Sequence, residues 1–169
     1  MKKIILSAIM LMGLAFSTQA QEISKNALGL RFGGSNGFGT EISYQRGLSD
    51  NNRLELDLGW RNRSNYKGYD DDAIKLTAIY QWVWNIDGGF NWYAGIGGGV
   101  GTYDRSYSDN RDYNDDGVFA FAAGNIGIEY DFDIPLLISL DFRPEIGGNG
   151  GYYNNNYGSD IAVSLRYQF

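Results

Sequence analysis

Apolar and polar residues alternate along almost the whole chain after residue 20, and the last ten residues show it most plainly. Ile161, Val163, Leu165, Tyr167 and Phe169 occupy every second position, with Ala162, Ser164, Arg166 and Gln168 between them. Successive side chains of a strand point to opposite faces, so this period of two predicts a strand with one greasy and one polar face. The same pattern predicts seven earlier strands, at about 27–33, 37–46, 53–61, 73–84, 90–103, 118–132 and 136–146. The clearest sets Leu54, Leu56, Leu58 and Trp60 against Glu55, Asp57, Gly59 and Arg61. No helical period follows residue 20.

The connections alternate in length. Residues 47–52, 87–89 and 133–135 are short, with Asp-Gly and Pro turn chemistry, whereas 62–72, 104–117 and 147–159 are long and polar. The connection around Ser35-Asn36 is the brief exception on the long-loop side. An even number of strands brings both termini to the short-turn end. A last strand ending on an apolar aromatic is accounted for if it closes a ring against the first and meets lipid. The expected fold is an all-β, eight-stranded antiparallel up-and-down transmembrane β-barrel.

Alternation alone leaves open which face is outside, since a soluble ligand-carrying barrel of lipocalin type also alternates. Three features choose lipid for the apolar face. The polar face carries Arg31, Glu41, Glu55, Asp57, Arg61, Lys75, Glu129, Asp141, Arg143, Glu145 and Arg166, nearly balanced in sign, as charges paired in a narrow interior must be. The same face holds Gly29, Gly33, Gly39, Gly59, Gly95, Gly97, Gly99, Gly101 and Gly127; an eight-stranded interior is just wide enough for its side chains, so glycine belongs there. The apolar face gathers Tyr44, Trp82, Trp84, Phe90, Trp92, Tyr130, Phe132, Tyr167 and Phe169 towards the short turns, as an aromatic belt at one membrane interface, with Phe32, Phe38 and Trp60 nearer the loops. Slipping the strands by one residue would turn the charges outward at about 2–4 kcal/mol each near the midplane, so the register is strongly held.

A regular hairpin around Asp109 puts Gly101 beside Phe119, Gly99 beside Phe121 and Tyr93 beside Gly127, with inward rings covering bare backbone. The same geometry pairs Arg31 with Glu41 and Asp141 with Arg166. The expected lumen is a polar and aromatic plug without a continuous water channel.

Residues 1–20 read as a cleaved signal peptide: Lys2 and Lys3, an apolar run from Ile4 to Phe16, then Ser17-Thr18-Gln19-Ala20. The run is too short to span a bilayer as a helix. The barrel domain is then 21–169, and its formal charge is −8 against −6 for the whole chain, because two lysines and no acid are lost. An acidic chain argues against nucleic acid as a partner. The absence of Cys removes both a lipid anchor on cysteine and a disulfide framework.

These features together resemble the small outer-membrane barrels of the OmpX/Ail and OmpA-transmembrane type. The Gly-Phe-Gly-Thr-Glu-Ile-Ser-Tyr-Gln stretch at 37–45 and the overall make-up are similar to the outer membrane protein beta-barrel domain family. The resemblance implies a Gram-negative outer-membrane location with lipid as surroundings. It also implies an assembly signal at Tyr167 and Phe169, read by the barrel-assembly machinery. With nothing after the last strand, no peptidoglycan-binding domain of the OmpA kind is expected.

Catalysis finds little support. Without His or Cys, histidine-based hydrolase sites, cysteine nucleophiles and most zinc sites are gone, and the outer-membrane lipid A deacylases and palmitoyltransferases of similar fold rely on His. Glu55/Asp57 or Arg143/Glu145 read better as interior ion pairs than as an acid–base pair. No cofactor is expected. Asp112-Tyr113-Asn114-Asp115-Asp116-Gly117 matches the first half of a calcium loop, but its twelfth position is Ala123 rather than a bidentate Glu, which leaves weak calcium binding or a solvated turn. The segments 62–72 and 104–117 carry eight Asp against Arg63, Lys67, Arg105 and Arg111, and with the last loop they display Tyr66, Tyr69, Tyr107, Tyr113, Tyr152, Tyr153 and Tyr157. Such a surface suits recognition of an extracellular ligand or simple solvation. The expected function is therefore structural or surface interaction through extracellular loops; the alternative is a barrel that passes or binds a small solute.

Overall fold

A computed structural model describes residues 23–34, 38–64, 69–109, 111–148 and 157–169. They form eight strands: β1 (Asn26–Gly33), β2 (Thr40–Ser49), β3 (Asn52–Ser64), β4 (Tyr69–Asp87), β5 (Phe90–Asp109), β6 (Arg111–Asp131), β7 (Leu136–Gly148) and β8 (Tyr157–Gln168). Each pairs antiparallel with its sequence neighbours, and β8 returns to β1, so the sheet is a closed up-and-down barrel. The β1–β8 seam runs from Ala27↔Gln168 to Gly33↔Ala162. It ends where Phe169 N–H donates to the Asn26 carbonyl at 2.9 Å. Gly29 lets this seam close, because a Cβ there would run into the Leu165 carbonyl. Closure leaves no ladder edge along the seam, the requirement for any sheet in hydrocarbon.

The distribution of side chains inverts that of a water-soluble barrel. Ile96, Ile161 and Val118 are 64%, 63% and 71% exposed, while Arg31, Arg143 and Arg166 are fully buried. At the short-turn end the outer aromatics touch in pairs. Trp84 stacks on Trp92 with centroids 4.3 Å apart, Phe90 meets Tyr130 edge-on at 4.5 Å, and Tyr167 lies over Phe169 at 6.3 Å. Gly88, with φ of 52°, turns the chain between β4 and β5, where a side chain would be strained.

Two features depart from the alternation. The stretches 62–72 and 104–117, expected as loops, are for the most part ladder. The β5–β6 pairing continues to Asp109↔Arg111, β4–β5 to Tyr69↔Tyr107, and β3–β4 to Ser64↔Asp70. The calcium-like segment Asp112–Gly117 is thus part of strand β6 and not a turn. Beyond the apolar belt neither face needs to be greasy, so the alternation fades while the backbone pairing goes on. Among the described residues β6–β7 pairing reaches Ala120↔Gly148 and β2–β3 pairing reaches Glu41↔Gly59, while β3–β6 continue together as one sheet beyond those pairs. The expected connection at Ser35-Asn36 and the centre of the last long loop, 149–156, lie outside the described residues.

The second departure is Phe38. Alternation places it on the outer face, yet it is only 5% exposed, inside the barrel mouth against Gly59. Gly39 adopts a positive φ of 63° just before β2 begins at Thr40, and this left-handed residue turns Phe38 inward.

If the outer face meets hydrocarbon, Val163→Arg, in the middle of the apolar band, should destabilise the folded barrel by about 2–4 kcal/mol. Reversible urea unfolding in lipid vesicles is the measurement; an unchanged midpoint would refute a lipid-facing Val163.

Candidate functional site

The lumen is a hydrogen-bonded network whose members come from strands distant in sequence. Each is there because it sits on the inward half of its strand's alternation. Arg143 on β7 reaches across to donate to Asp57 Oδ2 at 2.7 Å and to Glu41 at 2.6 and 2.7 Å, and its Nε lies 3.2 Å from Glu145. Arg31 on β1 donates to Asp141, Glu41 and Asp160 at 2.6, 3.0 and 2.6 Å. Lys75 bridges Glu145 and Glu41 at 2.9 and 3.3 Å. Towards the short-turn end, Arg166 binds Ser43, Ser139 and Glu55, and below it Arg53 grips Glu129 with both terminal nitrogens, at 3.0 and 2.7 Å. Arg61 pairs with Asp71 at the opposite end. Each guanidinium presents a planar fork of donors, so one buried arginine can satisfy two or three carboxylates at once.

The other wall of the lumen is apolar and bare. Gly101 faces Phe119, Gly99 faces Phe121 and Gly127 faces Tyr93 across adjacent strands. A Cβ at any of the three would collide with the facing ring. Phe38, Ile79, Tyr103, Phe119 and Phe121 form one buried cluster. The cations abut it: Lys75 Nζ lies 4.7 Å from the centre of the Phe38 ring and the Arg53 guanidinium 4.8 Å from that of Tyr93.

Arg31, Glu41, Glu55, Asp57, Arg61, Lys75, Glu129, Asp141, Arg143, Glu145 and Arg166 are all inside the barrel, each at most 9% exposed. Arg31 meets Glu41 as the register requires. Asp141 does not meet Arg166. Its β8 partner is Ala162, and Arg166 stands opposite Leu137, so the two charges are offset along the seam; Asp141 goes to Arg31 and Arg166 to Glu55. Arg53, Asp71 and Asp160 also belong to the interior. They escaped notice because they stand at strand ends beside polar stretches, yet Arg53 lies two residues from Glu55, Asp71 four from Lys75 and Asp160 six from Arg166, the even spacing that marks a shared face.

Above the lumen, the projecting sheet has two unlike faces. Asp72, Asp104 and Asp116 stand in register on β4, β5 and β6 and are all exposed. On the opposite face Arg105 lies between Asp71 and Asp115, at 3.5 and 3.9 Å. The outward row repels itself, and the like charges are tolerated because water screens them. Backbone register sets Tyr69, Tyr107 and Tyr113 at one level of this sheet; Tyr66, Tyr152 and Tyr153 lie outside the described residues. Among the described residues no group of three or more His, Cys, Asp or Glu is placed to hold a metal ion.

No family profile and no curated protein matches the chain. Solved structures do. Ail, the attachment invasion locus protein of Yersinia pestis, is 13% identical and superposes with a TM-score of 0.57 over 86% of this chain and 97% of its own. Neisserial surface protein A is 12% identical, with a TM-score of 0.61 over 85% of this chain and 94% of its own. The N-terminal β-barrel domain of Pseudomonas aeruginosa OprF is 12% identical, with a TM-score of 0.60 over 86% and 98%. At these identities the likeness is one of fold: this chain has the fold of the small eight-stranded outer-membrane barrels.

Arg143→Ala should destabilise the barrel by at least about 3–5 kcal/mol, because Glu41, Asp57 and Glu145 lose a shared cation in a buried setting. Arg143→Lys should recover only part of this, since one ammonium cannot reproduce the fork. Denaturant unfolding of the refolded variants reads both.

Proposed function

We propose that this chain, with the fold of the small outer-membrane barrels, is a non-enzymatic integral protein of the Gram-negative outer membrane whose work is done by its projecting sheet. Residues 1–20 direct export and are removed. Tyr167 and Phe169, stacked at the end of the closing strand, are read by the barrel-assembly machinery, and the apolar wall then sits in lipid. The carrying observation is the sheet itself: the β5–β6 ladder reaches Asp109↔Arg111, nine residues along β6 past the last β6–β7 pair among the described residues, or roughly 30 Å of strand at the usual rise. A barrel that served only to fill the membrane would gain nothing from so long an ordered hairpin. The reading without catalysis rests on the lumen, where the carboxylates are committed to arginine and lysine.

The sheet's exposed aspartate row favours a partner with basic groups. One Ail structure holds the heparin analogue sucrose octasulfate; a polyanion of that kind would be repelled by Asp72, Asp104 and Asp116. Deleting residues 104–117 should abolish binding of whole cells to a basic host-surface protein while leaving the barrel folded, and Asp72→Asn/Asp104→Asn/Asp116→Asn should weaken it and flatten its salt dependence. Binding unaffected by both changes would refute the sheet as the contact surface.

One observation favours the small-solute alternative: a recess at the short-turn mouth, lined by Gln45, Asn51, Asn91, Glu129 and Gln168. Arg53, also lining it, spans the barrel to Glu129 and caps the network above. A single barrel in a planar bilayer should therefore show no porin-like conductance. Sustained ohmic current would instead establish the pore.

A further inference from the structure

The deepest part of the lumen does not balance in charge. Arg31, Arg53, Lys75, Arg143 and Arg166 are at most 3% exposed, and six carboxylates are at most 4% exposed: Glu41, Glu55, Asp57, Glu129, Asp141 and Glu145. The next layer does not repair this, since Arg61 and Asp71 cancel and Asp160 adds another acid. A surplus charge in so dry a place is far too costly to stand alone.

The surplus also has a place. Glu55 uses Oε2 for Gln45 and Arg166, and Asp57 uses Oδ2 for Arg143. Glu55 Oε1 and Asp57 Oδ1 are buried without a hydrogen-bond partner, and so is Thr77 Oγ1. Thr77 is fully buried and stands directly opposite Asp57 on the neighbouring strand, which sets their Cβ atoms about 4.5–5.5 Å apart. Glu55 projects from the same inward face of β3 two residues away. On its far side Thr77 faces Gly99, which has no side chain to offer. Three hard oxygen donors, two of them carboxylate, thus stand at adjacent inward positions of β3 and β4, in a lumen short of positive charge.

We propose that Glu55 Oε1, Asp57 Oδ1 and Thr77 Oγ1 bind a small monovalent cation of sodium size inside the barrel. Oxygen donors suit hard ions, and three of them fall short of the six to eight oxygens that calcium takes and of the octahedron that magnesium demands, which selects a monovalent ion. The ion joins β3 to β4 at the centre of the lumen and is part of the folded state.

The mature barrel, refolded in zwitterionic detergent, tests this at pH 8 with sodium exchanged for choline at constant ionic strength. The wild type should gain stability as sodium rises, by about 1.4 kcal/mol per tenfold increase once the site is occupied in the folded state alone. Asp57→Asn should abolish the response and Thr77→Val, which keeps the shape and removes the oxygen, should weaken it. Ser164→Ala, which removes a partnerless buried hydroxyl on β8, should retain the full response. A wild type indifferent to sodium, or variants at Asp57 and Thr77 that respond in full, would overturn the proposal. So would stability that follows acidification alone, which would mean that a proton carries the missing charge.

Discussion

The arginines of the lumen hold this barrel to one arrangement. A wall that is apolar outside can be polar inside only if each enclosed charge finds an opposite charge within reach, since no water is at hand to take its place. Arg31 and Arg143 meet that demand between strands about a hundred residues apart in the chain: Arg143 with Glu41, and Arg31 with Asp141 and Asp160. Such pairs add little by themselves over a well-packed apolar interior, because both partners lose hydration. Their force lies in what a misplaced strand would leave behind. A register error on any one of them strands several charges at once.

Space is the second constraint, and glycine and aromatic residues divide it. The charged half of the lumen is filled by long side chains from β1, β2, β3, β4, β7 and β8. The half built by β5 and β6 is filled by rings that lie on glycines across the ladder, with Phe119, Phe121 and Tyr93 covering Gly101, Gly99 and Gly127. The rings serve both halves, since their faces receive Lys75 and Arg53. Charged side chains and rings thus divide the interior between them among the described residues.

Where the apolar belt ends, both constraints relax. On the projecting sheet neither face must be greasy and no charge must be paired. Asp72, Asp104 and Asp116 can then stand side by side in water while Arg105 satisfies two acids on the other face. The fold is shared with barrels that are only 12–13% identical, which fits a scaffold defined by pattern.

Much of this was legible in the residues alone. Alternation located all eight strands and told inward from outward face for residues as different as Lys75 and Val163, because facing is a local property of a strand. The ring-on-glycine pairs followed from one hairpin register. Three things needed the folded chain. Phe38 turned inward because a single left-handed glycine reset the phase, which composition does not reveal. The sheet beyond the apolar belt was hidden because polar residues on both faces read as loop, although backbone pairing does not depend on their polarity. Most of all, the partners of Asp141, Arg166 and Arg143 were set by side chains reaching across a closed lumen, a distance that has no counterpart along the sequence.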